Sequence, residues 1–127
     1  MSYVEFNPNP YGKNVGDCVI RALSGALQMG WNAAYVKLAL KGMEMGDMPS
    51  SNSVWGTLLE DNGFKKMIPE CQGCVTIREF AQSHPFDSYV LATGTHVVYL
   101  EKGNYIDTWD SGDEVIAYYF VKEKNNE

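Results

Sequence analysis

The dipeptide Lys102-Gly103 constrains this chain most, because strand-forming sequence flanks it on both sides. Residues 88–93, 95–101, 104–109 and 115–121 are rich in β-branched and aromatic side chains and are separated by glycine-containing breaks. That pattern predicts an antiparallel meander. A two-residue turn at Lys102-Gly103 pairs Glu101 with Asn104, Val98 with Asp107 and His96 with Trp109. His96, Val98, Asp107 and Trp109 then share a face, and Asp107 is the diagonal neighbour of His96, within side-chain reach. A slip of one residue would send the two to opposite faces. A carboxylate at this position fixes the imidazole tautomer and stabilises the imidazolium, and Trp109 is placed to cover the contact.

Upstream, the chain reads as helical. A first helix runs over about 18–29 and is broken by Gly30-Trp31-Asn32. Asn32 caps a second through about Met43, with Gly42 near its end. The cap-rich stretch 50–53 precedes a third, from Val54 to the stop at Asn62-Gly63. Thr76 caps a fourth over 77–83, ended by His84-Pro85. Helices first and antiparallel strands second predict an α+β architecture. With 127 residues, one domain spanning 1–127 can enclose one core. Met1 to Val15, rich in Asn, Pro and Gly, reads as an ordered loop or short edge strand. The polar end, 122–127, reads as frayed.

Cys18 opens the first helix, directly after Gly16-Asp17. Asp17 at the N-cap can accept a free N–H of the first turn, and it stands four residues from Arg21, a pairing distance on a helix. A thiol at a helix N-terminus meets partial positive charge that favours thiolate, with pKa values of roughly 3.5–7.5 in place of about 8.5. The negative charge of Asp17 opposes this weakly. The chain holds two histidines, His84 and His96, so any Cys–His chemistry uses one of them, and the hairpin register favours His96.

Taken together, these residues resemble the papain-like cysteine peptidases. Asp17-Cys18 opens a helix, His96 opens the apolar run His96-Val97-Val98-Tyr99-Leu100, and Asp107-Thr108-Trp109 lies on the next strand, in the order Cys, His, Asp or Asn. Asp107-Thr108-Trp109 is similar to the Asn-Ser-Trp of papain, with Asp replacing Asn as in bacteriocin-processing peptidases. The chain more closely resembles small papain-like proteins of bacterial and prophage genomes. Those carry an Asn-Pro element, here Asn9-Pro10, shortly before Gly-Asp-Cys-Val-Ile-Arg-Ala. The resemblance implies a nucleophile helix packed on a C-terminal antiparallel sheet, with a cleft between them. It implies a Cys18–His96–Asp107 triad acting through a thioester acyl-enzyme on a peptide or protein, without a cofactor. Papain's oxyanion-hole Gln, six residues before its cysteine, has no counterpart, since Gly12 stands there. Asn9 and Asn14 are the nearby amides that can serve beside the Cys18 N–H. The interval from His96 to Asp107 is also shorter, as a tight hairpin requires. Because papain uses Asn, an amide at 107 is expected to orient the imidazole better than an alanine.

The remaining features narrow the class. A net charge of −6 and the lack of a basic run with interleaved aromatics argue against a nucleic-acid partner. No apolar stretch approaches membrane-spanning length and no secretory core opens the chain; with three cysteines, which cannot all pair within one chain, this points to a reduced, cytoplasmic setting. Cys71-Gln72-Gly73-Cys74 has the spacing of half a zinc site or a redox pair, but it lacks a second pair and a preceding strand. It reads as a loop with two small buried thiols, and no metal is expected. Asp110, Asp113 and Glu114 lack EF-hand spacing and read as a solvated turn. Trp55 and the Met43 to Met48 stretch are candidates to line a cleft, as is Trp109. Two other classes share parts of the pattern. Asp107-Thr108-Trp109-Asp110 resembles the Asp-Pro-Thr-Trp-Asp ending of transglutaminase-like acyl transferases, although Val98 stands where those carry an aromatic. A non-catalytic binding module on the same fold would not need the triad.

Overall fold

The computed structural model describes residues 2–123. In chain order the elements are β1 (Tyr3–Glu5), α1 (Cys18–Ala26), α2 (Trp31–Met45), α3 (Asn52–Asp61), β2 (Phe64–Met67), α4 (Ile77–Ser83), β3 (Ser88–Ala92), β4 (Val97–Glu101), β5 (Asn104–Asp107) and β6 (Tyr118–Lys122). The architecture is α+β, with a six-stranded mixed sheet in the order β1-β5-β4-β3-β6-β2. Met1 and residues 124–127, most of the tail expected to fray, lie outside the described residues.

The sheet buries both faces, so its central strands read as unbroken apolar runs. Alternation along β3 and β4 sends Val90, Ala92, Val97 and Tyr99 to one side, with α1, α2, α3 and β6 supplying Leu23, Leu38, Trp55, Leu59 and Phe120. It sends Tyr89, Leu91, Val98 and Leu100 to the other, under Ile77, Phe80 and Ala81 of α4. Three layers result: α1–α3, the sheet and α4. Where α1 crosses β4, a Cβ on Gly25 would run into the Tyr99 ring. The missing side chain lets α1 lie close on the strand.

The hairpin is as the turn chemistry requires. Lys102 and Gly103 both have positive φ, and β4 pairs β5 with Glu101 opposite Asn104 and Tyr99 opposite Ile106. The meander is confined to β3, β4 and β5. The fourth predicted strand does not continue it: β6 returns to the far edge of β3 and there accepts β2. The chain between β5 and β6 is led across by Val115 bridging Thr76, by Ile116 N–H donating to Val75 and by Ala117 N–H donating to Ala92. The pairing of β2, which the sequence does not announce, has a physical reason. It is four residues long with exposed Lys65 and Lys66, the charged form of an edge strand that resists further pairing. At the other edge β1 runs parallel to β5, an edge strand within the N-terminal segment.

Four helix boundaries are corrected, the first being that α3 begins at Asn52 behind Ser51, not at Val54. α2 begins at Trp31 with extended Gly30 as its N-cap, not Asn32, and runs past Gly42 to a left-handed Gly46, the usual glycine stop. α1 ends at Ala26, and Gln28 takes a positive φ. Asp17 occupies the N-cap of α1 without a capping bond, because its carboxylate is committed elsewhere. Thr76 does cap α4, in a reciprocal box with Glu79, as S/T-x-x-E sequences do.

Candidate active site

The site forms where the N-terminus of α1 meets the β3–β4 turn and the C-terminal end of β5. The turn is fixed from within. Thr93 Oγ1 accepts from Thr95 N–H and His96 N–H, and Thr93 N–H donates to the His96 carbonyl at 2.8 Å. His96 is thereby held one residue ahead of β4. Its Nε2 lies 2.6 Å from Asp107 Oδ2, the diagonal contact that the register implies. The Trp109 ring lies 5.1 Å from the imidazole, centroid to centroid, and covers one side of it.

With Nε2 committed to Asp107, Nδ1 is the nitrogen left for another partner, and the Cys18 side chain and His96 act on each other's ionisation. The Val97 N–H also favours the thiolate of Cys18. The electrostatics follow. Burial pushes the Cys18 thiol up, but the hydrogen bonds from His96 and Val97 and the charges of His96 and Arg21 outweigh it, so its pKa is lowered. Burial disfavours the His96 cation, yet Asp107 and Cys18 push its pKa up to about 9. Opposite shifts in a neighbouring pair both favour thiolate with imidazolium over the neutral pair.

Asp107 is fully buried, and every contact on its carboxylate comes from a donor. Oδ2 accepts from His96 and from Ser111 Oγ at 2.7 Å; Oδ1 accepts from Arg21 at 2.9 Å and from Thr108 N–H at 2.8 Å. Burial raises its pKa, but His96, Ser111 and Thr108 hold the carboxyl below the ordinary range. Arg21 also pairs with Asp17, whose Oδ2 accepts from Trp31 Nε1 at 2.8 Å. The predicted Asp17–Arg21 pair is thus one link in a buried chain from α2 through α1 to β5. The N-terminal strand completes the support, with Phe6 N–H and the Tyr3 hydroxyl both donating to the Asp107 carbonyl.

A cleft of about 580 Å³ opens beside Cys18 and His96, between α1, α2, the segment leading into α3 and the β3–β4 turn. Trp55 lines it. Trp109 does not, and is instead the half-exposed cover of His96. The Met43 to Met48 stretch does not line it either. Asn9 and Asn14 are also absent from its wall: Asn9 Oδ1 accepts from Tyr11 and Lys13 within the N-terminal loop, and Asn14 is exposed. The amide that does line the cleft is Asn52. Sequence reading missed Asn52, Ser111 and Trp31, since single polar or aromatic residues far apart in the chain carry no spacing signal.

Outside the site, His84 stacks on Phe80 at 3.7 Å and closes α4. Asp110 is exposed but not simply solvated: it accepts from the Tyr105 hydroxyl at 2.7 Å and faces Arg78. Cys71 and Cys74 are exposed and joined in a disulfide, rather than lying as two buried thiols. Among the described residues no group of three His, Cys, Asp or Glu side chains is placed to hold a metal ion, and no helix is long and apolar enough to cross a membrane.

No family model matches the chain, and comparisons with curated proteins and with solved structures return no match. The chemistry of the site therefore rests on its own geometry.

Proposed function

We propose that the protein is a papain-like cysteine hydrolase that cleaves a peptide or isopeptide bond. The observation that carries this reading is the Asp107–His96 hydrogen bond, with Cys18 acting on the same imidazole and both Cys18 and His96 lining one cleft. A nucleophile, a base in contact with it and a group orienting that base are what acyl transfer requires.

The Cys18 thiolate attacks the carbonyl carbon, forming a C–S bond as the carbonyl pair moves onto oxygen. The Cys18 N–H, in the first turn of α1 and outside the helical ladder, is one donor for that oxyanion. As the tetrahedral species collapses the C–N bond breaks, and the leaving nitrogen takes the proton held by His96. His96 then removes a proton from water, which attacks the thioester. A carboxylic acid leaves, the thiolate returns, and the imidazolium is restored. Asp107 stays ionised and holds the ring. None of these steps needs a cofactor.

The test is an unbiased peptide-library cleavage profile run beside Cys18→Ala. Cleavage by the wild type alone is expected. Iodoacetamide should also alkylate Cys18 well below pH 8, and His96→Ala should slow that reaction at neutral pH. A Cys18 that reacts no faster at pH 7 than an ordinary thiol, with no cleavage of any library member, would overturn the reading.

A further inference from the structure

Helix α2 is apolar on two sides, and the fold uses one of them. Ala34, Leu38 and Gly42 are buried against the rest of the domain. On the outward side Ala33, Val36, Leu40 and Met43 are all exposed, the last three by 54, 57 and 77%. Single exposed apolar residues are ordinary, but these four recur at intervals of three, four and three. That is the a/d spacing with which one helix packs along another, and it makes a continuous stripe. Tyr35, Leu38 and Ala39, the α2 residues that line the cleft beside Cys18, are not part of it.

The charges beside the stripe say what fits it. Lys37 follows Val36 and Glu44 follows Met43, so both stand at the e position on one flank. Lys37 makes no ion pair among the described residues. Glu44 is 3.3 Å from Lys41, but Lys41 has a closer partner in Asp61, at 2.7 Å, and an exposed pair of this kind holds Glu44 weakly. When two such helices pack antiparallel about a two-fold axis, the e flank of one meets the e flank of the other. Lys37 then reaches Glu44 of the second copy, and the contact occurs twice, once in each direction. The stripe also matches itself in size, with Ala33 facing Met43 and Val36 facing Leu40, small against large. A parallel pair would set each residue against itself and leave a gap at the two alanines. It would put Asn32 or Ala39, not an acid, beside Lys37, and it would align the two helix dipoles instead of opposing them.

We infer that the exposed face of α2 docks a second copy of this chain, as an antiparallel, two-fold symmetric helix pair centred between Val36 and Leu40. Four residues a side place the contact at the small end of specific interfaces, under about 1,200 Å² in total, so monomer and dimer exchange. The inference does not depend on the reading of Cys18.

Sedimentation equilibrium of the full chain, from about 1 μM to about 1 mM, should show a monomer–dimer equilibrium. Leu40→Glu sets two carboxylates at the centre of the seam and should raise the dissociation constant at least about thirtyfold. Because Leu40 is exposed, this variant should keep the wild-type urea midpoint. Lys37→Glu and Glu44→Lys should each weaken self-association roughly tenfold, since each brings like charges together twice. An equimolar mixture of those two variants should associate as well as wild type, because opposite charges then meet at both contacts. A chain that stays monomeric throughout, or a dimer that Leu40→Glu leaves intact, overturns the inference. So does a mixture of the two charge variants that associates no better than either alone, since that excludes the antiparallel register.

Discussion

Two groups in this molecule have the same composition, one arginine between two aspartates, and opposite settings. Arg21 lies between Asp17 and Asp107, with side-chain exposures of 6, 4 and 1%. Arg78 lies between Asp110 and Asp113, with exposures of 41, 51 and 88%. In the exposed group water competes for every charge, and such pairs contribute little. In the buried group each remaining oxygen is also satisfied, by Trp31, Thr108, Ser111 and His96. Burying these charges was costly, and it is tolerable only because the donors are complete. The return is position. The buried arginine ties the helix that carries Cys18 to the strand end that carries Asp107, whereas the exposed one decorates a turn. Arg21 is therefore a positioning residue, acting on His96 through Asp107.

The largest expected effect falls on the carboxylate at the centre of the buried group. The papain resemblance suggests that Asp107→Asn should be milder than Asp107→Ala. The donors around Asp107 argue otherwise. An amide nitrogen turned toward Arg21 and Thr108 would face two donors. Turned toward Ser111 and His96, it would force the wrong imidazole tautomer. Both substitutions should lower turnover on the order of 10⁴-fold, with Asn no better than Ala, measured as kcat on the best library peptide. Recovery of most of the activity by Asn would show that the donor cage yields more readily than its burial implies.

Arg21→Met is next. Removing one member of a buried ionic group leaves Asp17 without a counter-charge and Asp107 with His96 alone in a low-dielectric interior, which costs about 3–5 kcal/mol, read from urea unfolding. Arg21→Lys should recover part of the stability but not the turnover, because one ammonium cannot span both carboxylates as the guanidinium fork does. Equal turnover for Arg21→Lys and wild type would reduce Arg21 to a structural cation.

The protonation state of the site gives a third test. His96 has a folded pKa of about 9, above its ordinary 6.5. Its contribution to stability is complete below pH 6.5 and is lost as pH rises through about 9. Turnover should follow a bell whose alkaline limb lies near pH 9, set by His96, and whose acid limb is set by the lowered Cys18 pKa. Asp107→Ala removes a hydrogen bond and a charge that raise the His96 pKa, so it should move the alkaline limb of the residual activity to lower pH. An unmoved limb would assign that titration to another group.

What the sequence made legible, and what it did not, divides along the same line. The hairpin register is local: a two-residue turn and period-2 alternation suffice, so the His96–Asp107 contact could be read before the fold was known. The start of α1 was equally visible in Gly16-Asp17-Cys18. Of the two local roles expected of Asp17, the pair with Arg21 holds and the capping bond does not, because Trp31 claims its other oxygen through a tertiary contact. Ser111 and Asn52 were invisible for the same reason. The path of β6 also needs long-range information, since nothing in residues 118–122 distinguishes pairing with β3 from pairing with β5. Nearness along the chain points to Asn9 and Asn14 as oxyanion donors, but the structure puts Asn52 at the cleft and leaves the other two out of its wall.

The smallest expected effect tests the exposed half of the comparison. Arg78→Met removes the cation that faces Asp110 and Asp113, yet the Tyr105 hydroxyl and the Gly112 N–H still donate to Asp110. Nothing is left buried and unpaired, because both aspartates reach water. The backbone bond from Arg78 N–H to the Gly112 carbonyl is untouched by the side-chain change. The urea midpoint should therefore move by a small fraction of the shift caused by Arg21→Met, and that small difference should shrink further in high salt, where exposed pairs are screened. The alkaline limb of turnover should stay near pH 9, since Arg78 touches neither Asp107 nor His96. A loss of stability comparable to that of Arg21→Met would mean that the turn after β5 braces Ser111, and with it Asp107, more firmly than its exposure suggests.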